Sequence, residues 1–365
     1  MKAIVLAGGY ATRLRPISYA LPKLLFPVLG KPMIYWTLDL LKKFGVNEVV
    51  LAVNYLADAL RTRVGTTYRG MRIKYSLEKT PLGTGGPIKL ASCSTRLREP
   101  FIAMNGDVIA EIDISKMLAH HARTGAAVTD ALREVSDPRR FGLVQLDSKG
   151  RIKRFIEKPE LSEASTRLVN AGIYIIEPKV IDMISAKRQV SLEREIFPIL
   201  ARRGRLGGFP FSGYWFDIGS LSDYRVANFR MLEMHAGEAV LRERITSVAT
   251  GAALRYPSFL DDASKVETKA IVGPYAIVGR NGLIGRSARV SNSVLFDRVI
   301  IGEGTKVSGA IIASDVITGD RVRIGYGAVV SPDVRIADGA KVGINAIIHP
   351  HKEIIEDVKA GTHVM

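Results

Sequence analysis

The chain has 365 residues, 47% hydrophobic and 24% charged, with a formal net charge of +16; the apolar supply is too rich for disorder and the length calls for two domains. A single cysteine, Cys93, and the lack of any apolar run of about eighteen residues exclude a disulfide framework and a spanning helix, and predict a soluble, cytoplasmic protein. Arg and Lys are scattered rather than clustered, which excludes the usual footprint of nucleic-acid or membrane binding and leaves small polyanions as the expected partners.

Residues 2–7 read as a strand, and Gly8-Gly9 cuts this apolar run too early for a secretory segment. The strand runs into Gly8-Gly9-Tyr10-Ala11-Thr12-Arg13-Leu14-Arg15-Pro16, with Pro22-Lys23 after it. Paired glycines let backbone N–H groups approach a phosphate unobstructed by Cβ atoms, and Arg13 and Lys23 add positive charge. The spacing is neither G-x-G-x-x-G nor G-x-x-x-x-G-K-[ST], so neither a dinucleotide fold nor a Walker loop is indicated.

A helix is expected from Pro32 through Met33, Ile34, Leu38 and Leu41 to a stop at Gly45. Strands follow at 48–53, 72–75 and 101–105, and helices at 114–124, 192–203 and 221–235. Strands alternating with helices imply an α/β domain over residues 1–235: a Rossmann-like, mostly parallel sheet covered on both faces. Two aspartates stand where such a sheet presents its chemistry. Asp107 closes Asn105-Gly106-Asp107 after a strand, and Asp217 lies in Tyr214-Trp215-Phe216-Asp217-Ile218-Gly219. Taken alone, each reads first as a turn-capping residue. Glu78 precedes Pro81-Leu82-Gly83-Thr84-Gly85-Gly86-Pro87 and by itself reads as an exposed surface residue.

Residues 236–263 read as a connector, and from 264 to 365 the pattern changes. Val272, Val278, Ile284, Val290 and Phe296 recur every six residues, the register slips over 297–318, and Ile324, Val330, Ile336, Val342 and Ile348 resume it. Small or branched residues such as Ala276, Ala288, Ala328 and Ala346 sit four places later. A six-residue period fits neither a helix face nor a hairpin. It predicts a left-handed parallel β-helix of hexapeptide repeats, stacking one aliphatic layer on the next.

The string from Gly8 to Pro16 with Pro22-Lys23 resembles the signature of the sugar-1-phosphate nucleotidyltransferase family, G-G-x-G-T-R-L-x-P followed by P-K. The resemblance implies Arg13 on the leaving end of a triphosphate and Lys23 against the reacting phosphate, with Leu6, Ala7, Gly8, Gly9 and Thr12 beside the nucleotide. Ala11 replaces the family's usual Gly, which strains the loop if that position needs a positive φ. Phe101 through Asp107 and Trp215 through Gly219 resemble the family's two metal motifs, implying that Asp107 and Asp217 bind Mg²⁺, with Asp107 and Asp217 joining Arg13 and Lys23 as catalytic residues. The 81–87 loop resembles its base-binding loop, implying nucleotide contacts from Glu78, Pro81, Gly83 and Thr84. Phe141-Gly142, Phe155-Ile156-Glu157-Lys158-Pro159 and Asn170-Ala171-Gly172-Ile173-Tyr174 resemble its sugar-phosphate segments, implying roles for Gly142, Glu157, Lys158, Asn170 and Gly172.

Ser191 through Pro198 and His349-Pro350-His351-Lys352 resemble the mannose-1-phosphate guanylyltransferase branch, which implies GTP and mannose 1-phosphate as substrates. A glucose-1-phosphate nucleotidyltransferase and a non-catalytic sensing subunit of the same fold stay open. So does an added acyltransferase activity using His349, His351 or His363, against a plain scaffold role for the β-helix. A flat β-helix face or end suits a homo-oligomer, a dimer or tetramer.

Overall fold

The computed structural model describes residues 1–157, 166–186, 188–235 and 248–365. They form two compact units, residues 1–10 with 33–217 and residues 11–32 with 218–365.

The first unit is built on a mixed sheet. Its parallel centre comprises β1 (Lys2–Leu6), β2 (Glu48–Val53), β3 (Met71–Leu77) and β4 (Phe101–Asn105), in the order β4-β1-β2-β3. All six residues of β2 are buried, which is why its apolar run is nearly continuous: a central parallel strand is covered on both faces. Helix α1 (Met33–Lys43) buries Met33, Ile34, Leu38 and Leu41 and ends before Gly45, whose φ of +77° reverses the chain. Helix α2 (Gly85–Ser92) follows the 81–84 loop, and α3 (Ile114–Thr124) starts where the Asp113 side chain accepts Lys116 N–H at 2.9 Å.

In register, Leu6 of β1 lies between Ala52 of β2 and Asn105 of β4. The loops leaving all three strands therefore open at one edge of the sheet, the edge where parallel α/β folds place ligands. Beyond β4 a short strand β5 (Val108–Ala110) leaves the sheet, and the far side is completed by β6 (Val128–Glu134), β7 (Gly142–Leu146), β8 (Ile152–Glu157) and β9 (Leu168–Ile176). Strand β9 runs antiparallel to β4, β6 and β7.

The helix expected over 192–203 divides into a wide helical turn, Leu192–Ile196, and α4 (Phe197–Arg202). Pro198 causes the break: without an N–H it cannot bond back into a preceding turn, so it occupies the first turn of a new helix. The unit closes with β10 (Leu206–Pro210), parallel to β6, and β11 (Trp215–Asp217), antiparallel to β5.

The second unit is a parallel β-helix. Short strands stack in three parallel ladders running from Ala253 to Val364, so the first coil begins within the stretch read as a connector; residues 236–247 of that stretch lie outside the described residues. Val272, Val278, Ile284 and Val290 fill the axis, and Ile324, Val330, Ile336, Val342 and Ile348 continue it.

Phe296 corrects the sequence reading. The inward residue after Val290 is Leu295, because this side of the coil has five residues instead of six; Val307 to Ile312 repeats the shortening. Phe296 consequently turns outward and packs edge-on against Phe26 and Tyr224, at ring-centre distances of 5.7 and 5.8 Å. Those rings belong to residues 11–32 and to helix α5 (Leu221–His235), which cover this face of the β-helix. The Leu29 N–H donates to Asn228 Oδ1 at 3.1 Å, and the Tyr224 hydroxyl donates to Pro27 O, tying the loop to the helix.

Candidate nucleotide and sugar-phosphate site

At the open edge of the first unit's sheet lies a cavity of about 310 Å³, lined among others by Leu6, Gly8, Gly9, Asn54, Glu78, Pro81, Gly83, Thr84, Asn105 and Asp107. Ala7 completes the β1 turn, donating its N–H to Ala52 O at 2.8 Å. Gly8 lies close under Glu78: a Cβ there would come within 2.8 Å of Glu78 Oε1, so a larger residue would require that carboxylate to shift. Gly9 has φ +120° and donates its N–H to Asn54 Oδ1 at 3.1 Å, so a side chain from the end of β2 sets the turn.

Glu78 is 5% exposed rather than a surface residue, and its Oε2 accepts Leu82 N–H at 3.2 Å. Burial pushes its carboxyl pKa upward, with the Leu82 bond opposing that shift. Gly83 has φ +78°, and a Cβ there would stand 2.4 Å from Val190 O, so the 81–84 loop seats directly on the segment leading to the wide turn. The bonds from Val190 N to Leu82 O (3.0 Å) and from Gly85 N to Val190 O (2.9 Å) fasten the same contact.

Of the residues expected at a sugar phosphate, Gly142, Glu157, Asn170 and Gly172 sit on β7, β8 and β9. Gly142 pairs with Glu157 across β7 and β8, and a Cβ on it would meet Phe155 at 2.7 Å and Glu157 Oε2 at 3.0 Å. Along β9 the register with β6 passes from Leu132↔Asn170 to Asp130↔Tyr174, so four residues of β9 face two steps of β6. This bulge re-aims the chain, with Gly172 at φ +72°. A Cβ on Gly172 would fall 2.5 Å from Asn105 Nδ2, which places the sugar strand against the residue two before Asp107. Asn170 Oδ1 accepts Gly172 N–H at 2.7 Å, holding the bulge from within. The Trp215 indole N–H donates to Ala171 O at 2.9 Å, and its ring meets Phe141 at 5.1 Å.

Trp215 thereby ties the second aspartate motif to β9. Strand β11 pairs with β5 so that Asp217 is opposite Val108, the neighbour of Asp107. Directly opposed antiparallel residues have Cα atoms about 5 Å apart, so Asp217 faces the first residue of β5, and Asp107 stands in the turn one residue before it. Among the described residues no group of three or more His, Cys, Asp or Glu is arranged to hold a metal. A two-carboxylate set suits Mg²⁺, which usually takes one or two protein carboxylates and fills its shell with water and substrate phosphate.

Thr12, Arg13 and Lys23 belong to the second unit. Thr12 and Arg13 form a short helical turn that begins after Ala11, whose φ of +45° is the left-handed conformation the Gly of the family pattern suits. Ala11 O accepts Leu14 N–H and Ser18 Oγ–H, each at 2.9 Å, which holds the conformation. The Arg13 guanidinium lies against Gly219, where a Cβ would be 3.0 Å from Nη2. Lys23 opens a second short turn, Lys23–Leu25. Lys158 lies outside the described residues.

A family model described as nucleotidyl transferase matches residues 2–233. The chain belongs to the nucleotidyl transferase family. A second model, described as the GMPPB C-terminal domain, matches residues 254–364 of this nucleotidyl transferase. Mannose-1-phosphate guanyltransferase beta-B of Xenopus laevis is 40% identical over 228 residues, 61% of this chain and 62% of that protein, so the match spans about six tenths of the relative. Mannose-1-phosphate guanylyltransferase 1 of Arabidopsis thaliana is 32% identical over 329 residues, 89% of each chain. HddC of Yersinia pseudotuberculosis, a solved structure, is 28% identical with a TM-score of 0.55, covering 63% of this chain and 99% of its own; it is also solved complexed with GMP-PN. No helix among the described residues is long and apolar enough to cross a membrane.

Sequence reasoning passed over Asn54, Asn105 and Trp215 as site residues. The first two end strands β2 and β4 at the edge where parallel strands carry ligands, and that position was the available signal. The indole bond of Trp215 depends on the bulge in β9, which no local pattern announces.

Proposed function

We propose that this nucleotidyl transferase joins mannose 1-phosphate to the α-phosphate of GTP, forming GDP-mannose and releasing pyrophosphate. The observation that carries the reading is the convergence at Asn105: β1's glycine turn, Glu78 and Asp107 line one cavity with it, and Gly172 of the sugar strand packs on its amide. Guanine and mannose are supported by the names of the relatives and by the GMP-PN complex of HddC.

In the proposed reaction, a phosphate oxygen of the sugar 1-phosphate attacks the α-phosphorus in line. The new P–O bond forms as the bond to the β-phosphate oxygen breaks, and the electron pair leaves with pyrophosphate. No covalent enzyme intermediate is required, so the chain works by positioning and charge neutralisation. The backbone at Gly8 and Gly9 cradles the phosphates, Arg13 holds the departing pyrophosphate, and Lys23 stabilises charge at the reacting phosphate. Glu78 faces the base. Glu157 and Asn170 hold sugar hydroxyls, Gly142 and Gly172 let the sugar approach the backbone, and Lys158 pairs with the sugar phosphate. Asp107 and Asp217 would hold Mg²⁺, which when bound neutralises the phosphate charge.

A matrix of five nucleoside triphosphates against several sugar 1-phosphates, scored by pyrophosphate release, tests the reading. GTP with mannose 1-phosphate is expected to give the highest kcat/KM, and no release from any pair would overturn it. The β-helix serves assembly into a dimer or tetramer; a monomer by light scattering at micromolar concentration contradicts that role.

A further inference from the structure

A file of hydrogen-bonded side chains runs beneath the site, joining its nucleotide side to its sugar side. Thr84, at the entry to α2, accepts Leu192 N–H on its hydroxyl at 2.9 Å and donates to Glu193 Oε2. Ser191 Oγ donates to the same carboxylate oxygen at 2.7 Å. On the other side, Asn170 Nδ2 donates to the Tyr174 hydroxyl at 2.9 Å, and that hydroxyl donates to Glu193 Oε1 at 3.4 Å. Asn170 in turn holds Gly172 N–H. Tyr174 is fully buried and Glu193 is 9% exposed, so water does not compete for these bonds.

We propose that Glu193 is a positioning residue that couples the nucleotide loop at Thr84 to the sugar strand at Asn170, so that filling one half of the site aligns the other. The inference rests on the proposed reading of the two halves as nucleotide and sugar-phosphate sites.

The direction of the bonds supports this role. Glu193 accepts from Thr84, Ser191 and Tyr174, which is the pattern of a carboxylate with every hydroxyl proton pointing toward it. The Tyr174 proton is thereby committed to Glu193, leaving its oxygen to accept from Asn170, and this fixes the Asn170 amide with its oxygen toward Gly172. A shift of the 81–87 loop would move Thr84 off Glu193 and pass to Asn170 through two rigid side chains.

Asp130, on β6 opposite Tyr174, completes the cluster. It is fully buried and neither carboxylate oxygen has a hydrogen-bond partner among the described residues. Burial first and the neighbouring Glu193 second push its carboxyl pKa well above the usual carboxylate range. In the wide turn Leu192–Ile196, Glu193 is buried together with Leu192 and Ile196.

The test uses the full chain and initial-rate grids of GTP against mannose 1-phosphate for the wild type, Thr84→Val, Thr84→Ser, Tyr174→Phe and the Thr84→Val/Tyr174→Phe double variant. Thr84→Val is expected to raise the KM for the sugar phosphate about fivefold or more although Thr84 stands on the nucleotide loop, and Tyr174→Phe to raise the KM for GTP similarly. Thr84→Ser, which keeps the hydroxyl, recovers most of the loss, and the double variant is no worse than the poorer single one. Single variants that each alter only their own substrate's KM, or a double variant whose losses multiply, overturn the coupling. Thr84 is only partly buried and Tyr174→Phe is nearly isosteric, so thermal melts should show both folded; if Tyr174→Phe fails, the Thr84 pair alone decides. The same ratios are read with whichever substrate pair the wild type turns over, so an error about guanine or mannose does not mask the result.

Discussion

Replacing Gly172 with alanine forces two adjustments at one point of the site. The backbone there has φ +72°, where an L side chain costs about 1–2 kcal/mol. The new Cβ would also sit 2.5 Å from Asn105 Nδ2, closer than real Cβ contacts come, and a tight 3.0 Å from Asn105 Cγ, so the amide must shift. An off-rotamer side chain costs roughly a further 0.5–1.5 kcal/mol, while the stiffer unfolded chain returns about 0.5–1 kcal/mol. The net expectation is a loss of about 2 kcal/mol, a drop of roughly 4–8 °C in Tm for the first unit. Because Asn105 lines the cavity beside Asp107, the displaced amide should also cut kcat/KM for the sugar phosphate by about tenfold. Thermal melts and initial rates on the purified chain measure both. A stability loss under about 0.5 kcal/mol together with unchanged kcat/KM would refute the packing of the sugar strand on Asn105.

Two further substitutions probe strain and burial. Ala11→Gly removes a left-handed alanine worth about 1–2 kcal/mol of strain but loosens the unfolded chain by about 0.5–1 kcal/mol; a small gain in melting temperature is expected, and a clear loss would show that the loop tolerates Ala11 without strain. Asp130→Asn removes a buried carboxyl whose folded pKa is raised, a group whose contribution is fully present below its unfolded pKa and is lost as pH rises toward its folded pKa. The wild type should therefore lose about 1.4 kcal/mol per pH unit relative to Asp130→Asn above about pH 4, read by denaturant titration at stepped pH. Parallel stability curves for the two proteins would show that Asp130 ionises freely in the fold.

Strands β1, β2 and β4 were legible because central parallel strands must be apolar on both faces, and the ends of α1 and α3 because Gly45, Asp113 and Gly125 are the residues that helix termini demand. The β-helix announced itself through its six-residue period. The same period misassigned Phe296, since one short side moves the inward position to Leu295 and only the packing against Phe26 and Tyr224 reveals it. The bulge of β9 was illegible for a different reason. It is a register relation to Leu132 and Asp130, some 40 residues away, and leaves in the local sequence only a glycine. Glu193 stayed hidden because a glutamate beside Arg194 and Glu195 at a helix start reads as solvent-facing, and only the packing shows it buried.

Asp107 is the residue on which the proposed chemistry depends most directly. Asp107→Asn keeps the size and shape of the side chain and removes only its charge, so melting temperature and GTP binding should stay close to wild type. Pyrophosphate release from GTP and mannose 1-phosphate at saturating Mg²⁺ should fall by roughly a hundredfold or more, as the loss of one charge-neutralising group at a reacting phosphate predicts. A rate within a fewfold of wild type under those conditions would contradict the assignment of Asp107, with Asp217, to the reacting phosphates.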